Sequence, residues 1–180
     1  SGTLQRAFES LNVETGAPAF ERFQVLEGRA RFGQKLLFMC ENSKLQIDSI
    51  TGSSDLAGSG GRMLLDTLSM LAKRGRKIRM ITDINPTTIR FVEPFQNLIA
   101  FRHLDLTQRP VPRVSIIDDT EALFGIGGSE EAAGRGSEQV TLWISSRSFV
   151  RSLHAYFNEM WGGATPALAR LEAIRAGKPE

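Results

Sequence analysis

The chain has 180 residues, 41% of them hydrophobic and 23% charged, enough for one globular domain with a packed core. Its 22 basic and 20 acidic residues leave a net charge of +2, too small an excess to mark a polycation built for nucleic acid or an acidic membrane surface. The single cysteine, Cys40, excludes an internal disulfide and a multi-cysteine zinc site and fits a reducing cytoplasm, and no run approaches the roughly 20 apolar residues of a membrane span.

In chain order, Leu4, Phe8 and Leu11 predict a short helix, Gly16 and Pro18 break it, and Phe20, Phe23 and Val25 have strand spacing. Gly28–Glu41 is a predicted helix, with Phe32, Leu36 and Met39/Cys40 as its apolar stripe. Lys44–Ile50 ("KLQIDSI") alternates as a strand does. The stretch "TGSSDLAGSGG" reads as a Gly/Ser-rich loop leading into a helix Arg62–Arg74, with Leu64, Leu68 and Leu71 inward and Gly75 as its C-terminal cap.

Lys77–Thr82 ("KIRMIT") is the next strand, and Asn85-Pro86 starts a helix that Pro94 should break. Leu98–Leu104 is a third strand. In "VPRVSIIDDTEALFG", Arg113–Ile117 and Ala122–Phe124 are strands around an Asp118-Asp119 turn. A long Gly-rich tip, "GIGGSEEAAGRGSEQ", precedes the strand Gln139–Ile144. Ser146–Trp161 is a helix with Phe149, Val150, Leu153, Phe157 and Met160/Trp161 on one face, and Pro166–Ala176 is the last helix. Strand–helix alternation followed by a hairpin predicts an α/β fold, a mixed β-sheet flanked by helices. The Ser-Gly opening without Met reads as a cloning scar. On that reading residues 1–180 are one domain, core about 23–161, excised from a longer chain.

Two stretches carry a resemblance. "KLQIDSITG" with "MLLDTLSMLAKRGRKIRMIT" resembles the strand–helix–strand opening of a phospholipase D-like half. "RVSIIDDTEALFGIGG" with "VTLWISSRSFVRSLHAYFNEMW" resembles its closing part, ending in F-x-x-x-W at Phe157 and Trp161. Upstream, "FQVLEGRARFGQKLLFMCENSKLQI" is similar to the start of the effector domain of archaeal TrmB-type transcriptional regulators, and "IAFRHLD" has the flavour of related archaeal sensory proteins. The resemblance implies a noncatalytic domain that senses small molecules and acts through an attached output module.

Catalysis is tested on the residues themselves. The phosphodiesterase motif of that fold, H-x-K-x-x-x-x-D, falls here on Val111, Arg113 and Asp118, so the Asp place is kept while the nucleophile's place is apolar. His103 and His154, the only two histidines, do not fit the template elsewhere. "GSGG" at 58–61 lacks the Lys-Ser/Thr of a P-loop, and "GIGG" at 125–128 precedes no helix. Asp118-Asp119 reads as a turn before a metal site, and "KRGRKIR" at 73–79 as a solvated helix end before a nucleic-acid contact. No cofactor or metal is expected.

What remains are polar groups where an α/β sheet places a pocket: Asp83, His103, Arg113 and Asp118 are the candidate ligand-binding residues. His103 reads equally as a satisfied core histidine, and Arg113 suits an oxyanion. Arg113 and Asp118 are expected to pair with each other or with Asp83 and His103 across the sheet ends. The expected protein is a cytoplasmic, homodimeric, non-enzymatic ligand-sensing or regulatory domain for a small polar or anionic effector. It would contact nucleic acid only through a missing domain and no membrane at all. An interaction or dimerisation module without ligand, and a residual phosphodiesterase, are the alternatives.

Overall fold

The computed structural model describes residues 22–108, 111–126 and 140–178. Its first half runs β1 (Phe23–Glu27), α1 (Arg29–Glu41), β2 (Gln46–Ile50), α2 (Ser53–Ala57), α3 (Ser59–Lys73) and β3 (Lys77–Thr82). Then come α4 (Ile89–Val92), a 3-10 turn (Glu93–Phe95), β4 (Ala100–His103), β5 (Arg113–Ile117) and β6 (Glu121–Ile126). The last elements are β7 (Val140–Ile144), α5 (Arg147–Gly163), β8 (Thr165–Pro166) and α6 (Ala167–Arg175).

The eight strands of the described residues form one sheet in the order β1-β7-β6-β5-β2-β3-β4-β8. Strands β2, β3 and β4 are parallel, joined by helical crossovers. Strand β5 runs antiparallel to β2 and opens the antiparallel ladder β5, β6, β7, β1. The five strands expected to share a mixed sheet do share one.

Period-two alternation decides what each face meets. Ile47, Ile78, Met80, Ile117 and Leu123 face α1 and α3, where Leu36, Met39, Cys40, Leu65, Leu68 and Leu71 close the larger core. Ile50, Ile81, Val114, Ile116 and Ile144 face the other way, onto Val150, Leu153 and Phe157 of α5. The Gly75 cap forms as expected. Its φ of 93° is left-handed, Gly75 N–H donates to the Ala72 carbonyl at 3.0 Å, and Arg76 N–H donates to Leu71 at 3.1 Å.

Most of the supposed Gly/Ser loop is helical: it holds α2 and the first turn of α3, because Leu56 is fully buried and Gly61 lets the two backbones touch. A Cβ on Gly61 would lie 2.2 Å from the Leu56 carbonyl oxygen. On α3, Leu65 rather than Leu64 takes the buried place. Asn85 closes a turn and does not cap the helix: its Oδ1 accepts from Thr87 and Thr88 N–H at 2.9 and 3.0 Å, Thr88 is the N-cap, and only four α-helical residues follow before the 3-10 turn around Pro94. Phe149 is 43% exposed and meets Phe23 edge-on instead of joining the core. The first helix, Phe20 and the Gly-rich tip from 127 on lie outside the described residues. Among these, no helix is long and apolar enough to cross a membrane.

Candidate functional site

The residues open a cleft at the C-terminal end of β2, beside the start of β5. It holds about 470 Å³ between the end of β2, the start of β5, the inner side of α1, and the α2–α3 corner. Ile50, Thr51, Arg113, Val114 and Ser115 form its sheet side, and Phe32, Leu36, Leu37, Met63 and Leu64 supply apolar walls. Ser49 and Ser115 are register partners on β2 and β5, and their hydroxyl oxygens are 3.1 Å apart. Ser49 also meets the Thr51 hydroxyl at 2.8 Å, so a short chain of hydroxyls underlies the cleft.

Arg113 is its cationic centre. Its Nη1 donates to Asp55 Oδ1 at 3.1 Å and lies 3.0 Å from Oδ2 in an ion pair. Desolvation pushes the Asp55 carboxyl above the ordinary range. The Arg113 and Arg29 guanidiniums and the Gly52 N–H oppose that shift without cancelling it. Asp55 comes from the first turn of α2, inside the stretch that composition marks as a loop. The signal that could have found it is Ser-Ser-Asp ahead of a lone buried Leu, a helix start with an acidic first turn.

The other expected site residues go elsewhere. Asp83 and His103 stand at the ends of β3 and β4, on the cleft's end of the sheet but outside its lining. They face each other, His103 Nδ1 to Asp83 Oδ1 at 3.6 Å, and the same nitrogen accepts the Ile84 N–H at 2.9 Å. His103 is buried, in keeping with its core reading.

Asp118 lies at the far end of β5, so the Arg113–Asp118 pair does not form. Instead the Asp118 carboxylate accepts three successive backbone N–H groups, Lys44 at 2.5 Å, Leu45 at 2.7 Å and Gln46 at 2.9 Å. Asp118 and Asp119 have φ of 54° and 59°, the left-handed region that Asp tolerates better than most residues, and Thr120 N–H closes the turn onto Ile117.

A polar network unmarked by the sequence ties α5 to the opposite face. Asp48 on β2 is fully buried and sits in register with Arg79 on β3. Arg79 Nε and Nη2 grip its two oxygens at 2.7 and 3.0 Å. His154 of α5 puts Nε2 2.8 Å from Asp48 and Nδ1 3.0 Å from Asp119. The Arg79 guanidinium also lies over Phe157 and Trp161. Of the basic run 73–79, therefore, Arg79 is a packing residue and Arg76 binds the Ser43 carbonyl, which leaves less free charge than the run implies.

No protein-family model and no curated protein matches the chain. Solved structures do. TrmBL2, described as an archaeal chromatin protein with a novel mode of DNA binding, aligns with a TM-score of 0.61 at 19% identity over 91% of this chain. The chain spans only 61% of that protein. The phospholipase D family member Nuc from Salmonella typhimurium aligns with a TM-score of 0.62 at 16% identity, covering 81% of this chain and 98% of Nuc. NucT from Helicobacter pylori is similar, with a TM-score of 0.60 at 17% identity, covering 81% of this chain and 99% of NucT. The chain has a phospholipase D-like fold, similar to that of TrmB-type proteins.

Proposed function

We propose that this domain is a noncatalytic ligand-sensing or regulatory unit whose effector binds in the Arg113 cleft and whose output runs through a transcriptional or signalling module elsewhere in a longer protein. One observation carries the reading. The cleft at the strand ends offers a guanidinium and hydroxyls, while both histidines lie outside its lining. Anion capture needs only the former, and nucleophilic phosphodiester cleavage by this fold needs the latter. The likeness to TrmBL2 supports a place beside a DNA-binding module, and we place any nucleic-acid contact there. Asp83 and His103 would serve as second-rank polar groups at the same sheet end. Asp118 would act through the fold. We place the protein in the cytoplasm as a homodimer, which light scattering at micromolar concentration checks.

The test is thermal shift against small oxyanions and neutral polyols, since a ligand that binds only the native state raises the melting temperature by mass action. Turnover is measured in parallel with bis-p-nitrophenyl phosphate in the presence of a chelator. No hydrolysis is expected. Hydrolysis that survives the chelator and disappears in His103→Ala or His154→Ala would establish the phosphodiesterase alternative.

A further inference from the structure

Resting on the reading of the Arg113 cleft as an anion site, we infer that the effector anion enters together with a proton: Asp55 holds the anion's place beforehand, and its carboxylate is protonated as the effector reaches Arg113. Occupancy comes first. Arg113 Nη1 lies 3.1 Å from Asp55 Oδ1 and 3.0 Å from Oδ2, and the two side chains are only 25% and 27% exposed. The positive charge of Arg113 is thus already matched. Arg29, the other cation of the lining, is itself engaged and also acts on Asp55. Among the described residues the lining holds no spare cation for an anion to find.

The approach is narrow. On the Nε–Nη2 side stands Gly52, where a Cβ would lie 3.6 Å from Nη2 and 3.7 Å from Nε, so the Gly52 backbone backs that side of the guanidinium. Gly52 is not part of the cleft lining, whereas Arg113 and Asp55 both are. An anion coming from the cleft therefore meets Arg113 at the nitrogen that Asp55 holds, or right beside it. Two negative groups on one guanidinium repel each other, and a carboxylate placed so is driven toward its acid form. Protonation removes the conflict. Neutral Asp55 loosens its hold on Nη1, and its new O–H can donate to the anion. The proton comes from solvent, and no other bond is made or broken.

The surroundings favour the acid form. The charged groups facing Asp55 are Arg113 from β5 and Arg29 from α1, and these three are the ionisable residues of the lining. Desolvation lifts the Asp55 carboxyl above its ordinary range against both guanidiniums and the Gly52 N–H. Taking Arg113 away from it removes the larger of the two opposing charges and lifts it further. Uptake of a proton on binding makes affinity fall as pH rises, by up to about tenfold per pH unit above the range in which Asp55 of the free protein is already protonated.

Isothermal titration of the 180-residue chain with hexanesulfonate and with sulfate tests this, from about pH 5 to about pH 8 in bis-tris and piperazine buffers. Both probes keep their charge over that range, and neither buffer is an anion. Binding is expected to be at least about tenfold weaker at the alkaline end, and a pH electrode in weakly buffered solution should record uptake of up to about one proton per anion bound. Asp55→Asn should bind more tightly than the wild-type chain at the alkaline end and lose the pH dependence. Binding that is weakened in Arg113→Ala, yet equally strong in the wild-type chain at both ends of the range with no proton taken up, leaves the ligand site standing and overturns the coupling. A pH dependence that persists in Asp55→Asn also overturns it, because the proton then belongs to another group. Binding indifferent to Arg113→Ala, or no binding of either probe to the wild-type chain or to Asp55→Asn at any pH, removes the ligand reading and this inference with it.

Discussion

Asp118 ties β5 to the chain entering β2, and its replacement should show how much that tie holds. Three backbone N–H groups end on its carboxylate, one partly buried at Gln46 and two exposed at Lys44 and Leu45. A hydrogen bond to a charged group is worth about 1.5–3 kcal/mol when sheltered, and the exposed pair should be discounted to about 0.5 kcal/mol each, which gives about 3 kcal/mol in all. Alanine adds about 1 kcal/mol for holding a residue with no polar side chain at a left-handed φ. Asp118→Ala should therefore cost about 4 kcal/mol, lowering the melting temperature by about 8–16 °C in a domain of this size. Asp118→Asn keeps one acceptor oxygen where Oδ1 now serves Leu45 and Gln46, and it tolerates the left-handed backbone. It should cost only about 1 kcal/mol. Chemical denaturation of both variants, read by far-ultraviolet circular dichroism, measures the difference. Equal losses for the two, or a loss below about 1 kcal/mol for alanine, would refute the three-bond account.

Three further outcomes are expected. Gly61→Ala should cost about 1–3 kcal/mol, because its Cβ meets the α2 backbone at 2.2 Å, whereas Gly60→Ala, with nothing within 4 Å, should be neutral or slightly stabilising; thermal melts of the pair separate crowding from helix propensity. Arg79→Ala removes both guanidinium bonds to the buried Asp48 carboxylate, which keeps Gln46 and His154, and should cost about 2–3 kcal/mol, more than Arg62→Ala on the exposed face of α3, as urea midpoints will report. Burial pushes the Cys40 thiol from 9.0 up to about 12, so its contribution to stability is complete below 9.0 and is lost as pH rises toward 12. The loss reaches about 4 kcal/mol at 1.36 kcal/mol per pH unit, and Cys40→Ala should flatten the alkaline decline in denaturation midpoint; an unchanged slope in that variant would contradict it.

Strands whose residues alternate between two buried faces were legible in the sequence. Lys77–Thr82 and Arg113–Ile117 match the observed β3 and β5 residue for residue, because β-branched alternation is a local signal. Helix α2 was not legible. Its five residues are Ser- and Gly-flanked, and what makes them helical is Leu56 under the core and the backbone contact at Gly61, both tertiary facts. The site divides in the same way. Arg113 could be picked out from its place at the start of a strand. Its partner Asp55 is 58 positions away in the chain, and the N–H groups that take up Asp118 are 72–74 positions away. Asp48 and Arg79 needed the register of two parallel strands before their charges could be matched.

The position of β1 in the sheet sets an order on how the chain can be assembled. Among the described residues, strand β1 has β7 as its one neighbour in the sheet, with Phe23 opposite Ile144 and Glu27 opposite Val140. A ribosome makes Phe23–Glu27 more than a hundred residues before the strand it must join, whereas β2, β3 and β4 can pair as soon as residues 46–103 have emerged. During synthesis, the amide edge of β1 has to wait unpaired while the parallel half takes shape behind it. The earliest of the described strands is thus bound to be among the last to dock, and a chain ended just before residue 140 should leave β1 open to proteolysis.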